Sequence, residues 1–141
     1  MTEEGAVLVD TNVLLDVIEE DEKWVHWSVE QMVKFTNRML INPMIFTELC
    51  YHAKSTEEVE KTVQMLGLKY QEFNNQSLFL TSQAYRSYRL RGGQKTSPLL
   101  DFFIGAHARS LGIPLLTRDS ARYKTYFPSL PLISPESHPL S

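Results

Sequence analysis

Hydrophobic and polar positions form two kinds of segment that alternate along the chain. Short apolar runs predict buried strands, and longer segments with an apolar residue every three or four positions predict amphipathic helices. The predicted strands are residues 6–9, 40–43, 68–73, 113–117 and 131–133. The predicted helices are residues 12–19, 24–39, 45–53, 55–66, 75–90 and 98–111. Short strands that alternate with helices indicate an α/β fold, with a mainly parallel sheet covered by helices on both faces.

Helix boundary signals support this division. Ser55 and Glu58 form a capping box before one helix, and Gly67 ends it. Ser97 and Pro98 start a later helix that ends at Gly112. A short turn is expected over 120–126. No repeat or linker divides the sequence, so a single domain is predicted over 1–141, with an ordered core at about 6–133 and a loose tail at 134–141.

Composition narrows the class of protein. The 141 residues are 43% hydrophobic and 22% charged, which is typical of a globular domain. A net charge of -3 means that any contact with nucleic acid has to be local. Cys50 is the single cysteine, which excludes an internal disulfide and is in keeping with a reducing compartment. The acidic start at Glu3 and Glu4 is unlike a signal peptide, and no apolar run is long enough for a membrane span, so a cytoplasmic protein is expected.

Four acidic residues stand in apolar, structured surroundings. Asp10 follows "VLV", Glu48 lies in "MIFTELC", Asp101 lies in "SPLLDFFIGA" and Asp119 follows "LLTR". Buried carboxylates are costly unless they are paired or bound to a cation. Because ligands of parallel α/β sheets bind beyond the carboxyl ends of the strands, Asp10 and Asp119 fall where a site is expected. Converging carboxylates of this kind suit a hard divalent cation such as Mg²⁺ or Mn²⁺.

Each of these acids also has a purely structural interpretation. Asp10 and Asp119 are suitable caps for the helices that follow them. Glu48 is compatible with a solvent-facing position on its helix. Asp101 falls in the first turn of a helix, where the helix dipole favours an acid whatever its function. The order strand–Asp, helix–Glu, helix–Asp, strand–Thr-x-Asp is what favours a shared site.

The segments that carry these acids resemble a known family. The sequences "VLVDTNVLLD", "INPMIFTELC", "SPLLDFFIGAHARSLGIPLLTRD" and "YFPSLPLISP" are similar to those of PIN domains, and most similar to the VapC-type toxins of bacterial toxin–antitoxin pairs. The resemblance covers nearly the whole chain in the same order. Between about 55 and 94 only the helical character matches.

The resemblance implies a fold, a site and partners. It implies a PIN-like three-layer domain with a short parallel sheet in the order 3-2-1-4-5. It implies that Asp10, Glu48, Asp101 and Asp119 bind Mg²⁺ or Mn²⁺ and catalyse cleavage of an RNA phosphodiester, with Asn12 and Thr117 orienting them. It also implies a VapB-type antitoxin partner and a homodimer.

A basic segment near the predicted site is a candidate RNA contact. Arg86, Arg89, Arg91 and Lys95 are interleaved with tyrosines just before the helix of Asp101. Such residues can hold phosphates while aromatic rings stack on bases. A solvated helix end with favourable C-terminal cations explains the same pattern. Arg118, next to Asp119, is a further candidate for the scissile phosphate, or else a partner of the acids.

Three other functions have to be weighed against a toxin ribonuclease. A phosphatase of the haloacid-dehalogenase type also begins with a strand that ends in Asp, but it requires a second carboxylate two residues later, where this chain has Asn12. A PIN-like module that binds RNA without cleaving it, and a housekeeping PIN nuclease of RNA processing, remain open at this stage.

Overall fold

A computed structural model describes residues 5–141, so Glu3 and Glu4 lie outside the described residues. Five strands form one parallel sheet in the order β3-β2-β1-β4-β5. The strands are β1 (Val7–Val9), β2 (Met39–Ile41), β3 (Lys69–Tyr70), β4 (Leu115–Leu116) and β5 (Leu132–Ile133). The α/β class and the predicted strand order are confirmed.

Strand β1 is the centre of the sheet because its side chains are apolar on both faces. Val7, Leu8 and Val9 are fully buried, as expected for a strand covered by helices on each side. Leu8 pairs with Leu40 of β2 and with Leu115 of β4. The parallel pairing brings the carboxyl ends of β1 and β4 to the same edge of the sheet, next to each other.

Within residues 5–141, seven helices connect and cover the strands. They are α1 (Thr11–Ile18), α2 (Val25–Lys34), α3 (Pro43–Tyr51), α4 (Thr56–Met65), α5 (Asn75–Leu90), α6 (Pro98–Leu111) and α7 (Ala121–Lys124). Several begin where the sequence signals a cap: the side chain of Ser55 accepts a hydrogen bond from the Glu58 amide at 3.2 Å, and Gly112 ends α6 in the left-handed conformation.

The two largest differences from the sequence-based prediction concern α2 and the segment after Asp119. The helix predicted over 24–39 ends at Lys34, because the chain turns through Asn37, which has a φ of 68°, before β2 begins. The turn predicted over 120–126 contains the one-turn helix α7. This helix has only four residues, and a helical pattern of apolar positions can be recognised only over two or more turns.

The C-terminal segment, expected to be a loose tail, packs on α2. The indole N–H of Trp27 donates to the carbonyl of His138 at 2.7 Å, and the hydroxyl of Ser120 donates to Glu136 at 2.6 Å.

Among residues 5–141, no helix combines the length and apolar character that a membrane span requires.

Candidate active site

Asp10 occupies the centre of the candidate site. It follows β1 directly and is 2% exposed. Its Oδ1 accepts the backbone N–H of Thr11 at 2.8 Å, so the residue does cap α1. Its Oδ2 accepts the hydroxyls of Thr117 at 2.9 Å and Tyr123 at 2.8 Å. The capping role and a site role are therefore compatible, because each carboxylate oxygen has its own donors.

Glu48 reaches the same region from α3. The hydroxyl of Thr11 donates a short hydrogen bond to its Oε1. The side chain is half-buried, and burial, together with repulsion from Asp10, raises the pKa of the Glu48 carboxyl. Glu48 therefore faces Asp10 across Thr11, and the solvent-facing interpretation of this residue is wrong.

Asp101 and Asp119 complete the acidic group. Asp101 lies in the first turn of α6, and Asp119 follows β4. Burial, then repulsion from Asp10, Glu48 and Asp119, raises the pKa of Asp101 to about 6. Burial likewise raises the pKa of Asp10. The four carboxylates are thus close enough to interact electrostatically, although they come from four separate parts of the chain.

Asp119 does not cap the helix that follows it. The cap position of α7 is Ser120, and its side chain makes no capping hydrogen bond. The backbone N–H of Asp119 donates to the hydroxyl of Thr117 at 3.1 Å. Its carboxylate instead pairs with Arg122, whose Nε lies 2.8 Å from Asp119 Oδ2 and whose Nη1 lies 3.7 Å from Asp101 Oδ1.

Asn12 and Thr117 lie beside Asp10. The amide of Asn12 donates to Asp10 Oδ2 and to the Thr117 hydroxyl oxygen, both at 3.5 Å, and its Oδ1 accepts the backbone N–H of Arg118 at 3.2 Å. These contacts tie the end of β4 to the start of α1. Asn12 and Thr117 are placed where they orient the Asp10 carboxylate rather than extend the acidic group.

Arg118 points away from the four acids. Its guanidinium donates two hydrogen bonds of 2.9 Å to Asp16, which is 2% exposed, and its Cζ lies 5.6 Å from the centre of the Trp24 ring. The hydroxyl of Ser28 donates to the same Asp16 carboxylate. In this arrangement Arg118 compensates a buried charge of α1.

The basic segment is built on an aromatic cluster. The rings of Tyr85 and Tyr88 stack with centres 5.9 Å apart, and both contact Phe102, which follows Asp101. A Cβ on Gly93 would lie 2.4 Å from the Tyr88 ring, so only glycine lets the loop pass there. The backbone N–H of Lys95 donates to the Tyr88 hydroxyl at 3.0 Å.

The cations of this segment differ from its tyrosines in exposure. Arg86, Arg89, Arg91 and Lys95 are exposed, and Arg91 also covers the ring of Tyr126, with its Cζ 5.4 Å from the ring centre. The rings of Tyr85 and Tyr88, which the sequence predicts to stack on bases, are half-buried and stack on each other. The arginines and the lysine remain accessible to an anionic ligand.

Sequence reasoning missed three residues of the site. Asp16 carried the same signal as the four acids, a carboxylate within the aliphatic run "VLLDVI". Arg122 lies three residues after Asp119 on α7, where helical spacing brings opposite charges together. Tyr123 had no local signal, because its partner Asp10 lies 113 positions away. Gly105 makes that contact possible, since a Cβ there would lie 2.7 Å from the ring of Phe127 and 3.1 Å from that of Tyr123.

The donor set fits a hard divalent cation in chemistry. Three of the four carboxylates have raised pKa values, chiefly because burial disfavours their charged forms, and Arg122 offsets this only in part. Oxygen ligands of this kind are those that Mg²⁺ and Mn²⁺ prefer. As the side chains stand, however, no three Asp, Glu, His or Cys residues within 5–141 are arranged to hold one ion. Arg122 contacts two of the four acids instead.

Comparisons with solved structures show which fold the chain shares. It superposes on VapBC from Salmonella typhimurium in a DNA-bound crystal structure with a TM-score of 0.72 and 21% identity, over 95% of this chain and 98% of that one. For VapBC2 from Rickettsia felis, bound to a DNA fragment from its promoter, the TM-score is 0.66 and the identity 18%, over 92% of this chain and 98% of that one. For FitAcB from Neisseria gonorrhoeae, the TM-score is 0.68 and the identity 16%, over 92% of this chain and 98% of that one.

Comparisons at the level of sequence identify the family. A search among curated proteins finds no match. The sequence profile of the PIN domain matches residues 7–128, a segment that contains all four acids, Asn12, Thr117, Arg122 and Tyr123. The predicted resemblance is thus confirmed, and the chain belongs to the PIN domain family.

Proposed function

We propose that this protein is a metal-dependent endoribonuclease and the toxin of a VapBC-type toxin–antitoxin pair. The observation that carries the proposal is the convergence of Asp10, Glu48, Asp101 and Asp119 at one edge of the sheet, where Asp10 helps to raise the pKa of Glu48 and the other three acids help to raise that of Asp101. Membership of the PIN family and the fold shared with VapBC proteins support the same function.

Bound Mg²⁺ or Mn²⁺ would supply a water of lowered pKa and compensate negative charge on the scissile phosphate. The carboxylates of Asp10, Glu48, Asp101 and Asp119 would hold the cation. Thr117 and Tyr123 fix Asp10 by donating to Oδ2, and Thr11 fixes Glu48. Fixed carboxylates lose less freedom when they bind an ion, so these hydroxyls prepare the site for it.

The basic segment is the proposed contact for the RNA backbone. Its exposed cations, Arg86, Arg89, Arg91 and Lys95, lie on α5 and the loop that leads to the helix of Asp101. The Tyr85–Tyr88–Phe102 contacts connect this loop directly to the first turn of α6. Phosphates held there would lie along a path toward the acids. An RNA substrate would place the reaction in the cytoplasm.

A phosphatase of the haloacid-dehalogenase type is disfavoured by the position of Asn12. That chemistry requires a carboxylic acid at this position as proton donor. Here the amide oxygen accepts the backbone N–H of Arg118 and the amide nitrogen faces Asp10 and Thr117. Asn12 therefore has a structural role that leaves no general acid two residues after Asp10.

The activity is tested by cleavage of total cellular RNA with and without Mn²⁺, comparing the wild type with D10N. The wild type should produce discrete new 5′ ends only with the metal. The variant should lose cleavage and bind Mn²⁺ more weakly while remaining folded, because removing one charge from a crowded acidic site relaxes repulsion.

Companion variants separate the alternatives. R86A/R89A keeps the acids and should raise the RNA concentration that gives half-maximal cleavage. The slope of log affinity against log salt concentration should become shallower by about 0.7 for each phosphate contact that is lost. Full activity in D10N would remove Asp10 from the mechanism. RNA binding without cleavage in the wild type would identify a non-catalytic module.

We further propose a VapB-type antitoxin as partner, and a homodimer of the toxin. A groove of about 330 Å³ lies between α1, α3 and α4, and Leu15, Ile18, Leu49, Ala53 and Val59 line it. On α2, Val29 and Val33 are also exposed. An amphipathic segment of the partner fits such a groove, and a cationic side chain on it suits the nearby acids.

A further inference from the structure

Arg122 is the cation that the fold places among the four acids. It lies on α7, three residues after Asp119, and its Nε is 2.8 Å from Asp119 Oδ2 while its Nη1 is 3.7 Å from Asp101 Oδ1. Half of its side chain is exposed, whereas the Asp101 side chain is only 25% exposed. The guanidinium therefore sits at the mouth of the site, between the acids and solvent.

The charge of Arg122 acts on all four carboxylates. It opposes the rise in pKa of Asp10, Glu48 and Asp101, and Asp119 in turn stabilises the charged guanidinium. Arg118, the cation that directly precedes Asp119, is held by Asp16 and Trp24. Arg122 thus supplies compensating charge that the acidic group would otherwise lack.

A guanidinium and a divalent cation compete for the negative charge of the same carboxylates. The oxygens that contact Arg122, Oδ1 of Asp101 and Oδ2 of Asp119, belong to two of the four proposed ligands. Binding of a cation would therefore weaken the attraction that holds Arg122 on them and favour its release. Since its side chain is long and half exposed, it can turn outward, and a guanidinium matches a phosphate as well as a carboxylate.

We propose that Arg122 is the internal counter-ion of the acidic site: it pairs with Asp101 and Asp119 when no divalent cation is bound, and binds an RNA phosphate when the cation displaces it. The contact with an RNA phosphate rests on the proposed function. The pairing of Arg122 with Asp101 and Asp119 concerns the protein without RNA.

The test compares R122Q with K124Q, a variant that removes one positive charge from an exposed residue of the same helix. Binding of Mn²⁺ alone is measured by calorimetry. R122Q should bind Mn²⁺ roughly three- to tenfold more tightly than the wild type, because the cation no longer competes with a partly exposed ion pair. K124Q should be close to the wild type. Equal affinity in R122Q and K124Q would overturn the proposal.

Two further measurements separate this inference from the proposed nuclease activity. In EDTA at low salt, R122Q should melt about 2–4 °C below K124Q, since four carboxylates lose their counter-ion. In the presence of saturating Mn²⁺, R122Q should cleave RNA with a higher KM than K124Q. If no variant binds Mn²⁺ or cleaves RNA, the proposed function fails, and a lower melting temperature of R122Q still supports the counter-ion. An unchanged melting temperature of R122Q would overturn the counter-ion role of Arg122. An unchanged KM would overturn its contact with an RNA phosphate.

Discussion

At the scale of single residues, the site depends on hydroxyl groups as much as on acids. Asp10 is buried with four donors, namely the backbone amide of Thr11, the side-chain amide of Asn12 and the hydroxyls of Thr117 and Tyr123. The acids were predictable because carboxylates in aliphatic runs are conspicuous. The hydroxyls were not, since a Thr or Tyr in an apolar segment is equally compatible with simple packing. Tyr123 in particular acquires its role only through contact with the other end of the chain.

We expect Y123F to reduce the free energy of unfolding by about 1–2 kcal/mol in the absence of metal, because a buried carboxylate loses one of its donors. The pKa of Asp10 should also rise further, since the Tyr123 hydroxyl lowers it. Urea unfolding in EDTA measures the first effect. Y126F is the matched control, because Tyr126 also packs on Phe102. The two variants should differ clearly, and equal stability would mean that the Tyr123 hydroxyl contributes nothing.

At the scale of elements, α3 and α6 are joined by a buried polar pair. Asn42 caps α3 by accepting the Ile45 amide at 2.9 Å, which leaves its Nδ2 facing Nδ1 of His107 on α6 at 3.1 Å. Because Asn42 donates, Nδ1 of His107 has to be the unprotonated nitrogen of a neutral ring. Burial lowers the pKa of His107 accordingly. The pair fixes the two helices that carry Glu48 and Asp101.

This pair predicts a loss of stability in acid. Because the pKa of His107 is lower in the folded state than in the unfolded one, its contribution is fully present above about pH 6.5 and is lost as pH falls through the folded value. The acids with raised pKa values act in the opposite direction, because they favour the folded state more as pH falls. The wild type is therefore compared with H107Q, in which these acids are unchanged. We expect the difference in melting temperature between the two proteins to narrow from pH 7.5 to pH 5. A constant difference would mean that His107 does not titrate in this range.

The limits of the hydrophobic pattern are clearest at the element scale. The pattern located the strands and most helices, because these elements bury one face or both. It extended α2 beyond Lys34, since Phe35 and Met39 continue the apolar spacing although the chain turns at Asn37. It gave no indication of α7. The strand order came from the resemblance to PIN domains, because apolar runs specify strands and not their neighbours.

At the scale of the whole molecule, apolar side chains remain exposed on the helices α1 to α4. The groove between α1, α3 and α4 and the exposed residues Val29, Val33 and Met65 are the surface that a partner would cover. Exposed apolar patches of this kind mark interaction sites more often than isolated surface residues do.

We expect light scattering of the purified protein to give about twice 16.3 kDa, and a larger complex with the product of an adjacent small gene. Addition of that product should abolish RNA cleavage. A V33K variant should weaken the complex, because Val33 is 66% exposed on α2, whereas T36K, on the same surface but polar, should not. A monomer that binds no such partner and is harmless when expressed alone would indicate a housekeeping PIN nuclease.

The separation between Asp10 and Tyr123 has a consequence for synthesis of the chain. Asp10 leaves the ribosome 107 residues before Thr117 and 113 residues before Tyr123, the two residues whose hydroxyls complete its surroundings. A fragment that stops before them has neither the neighbouring strand β4 nor these donors. A nascent chain therefore holds an incomplete site until Tyr123 has been made and has folded against Asp10.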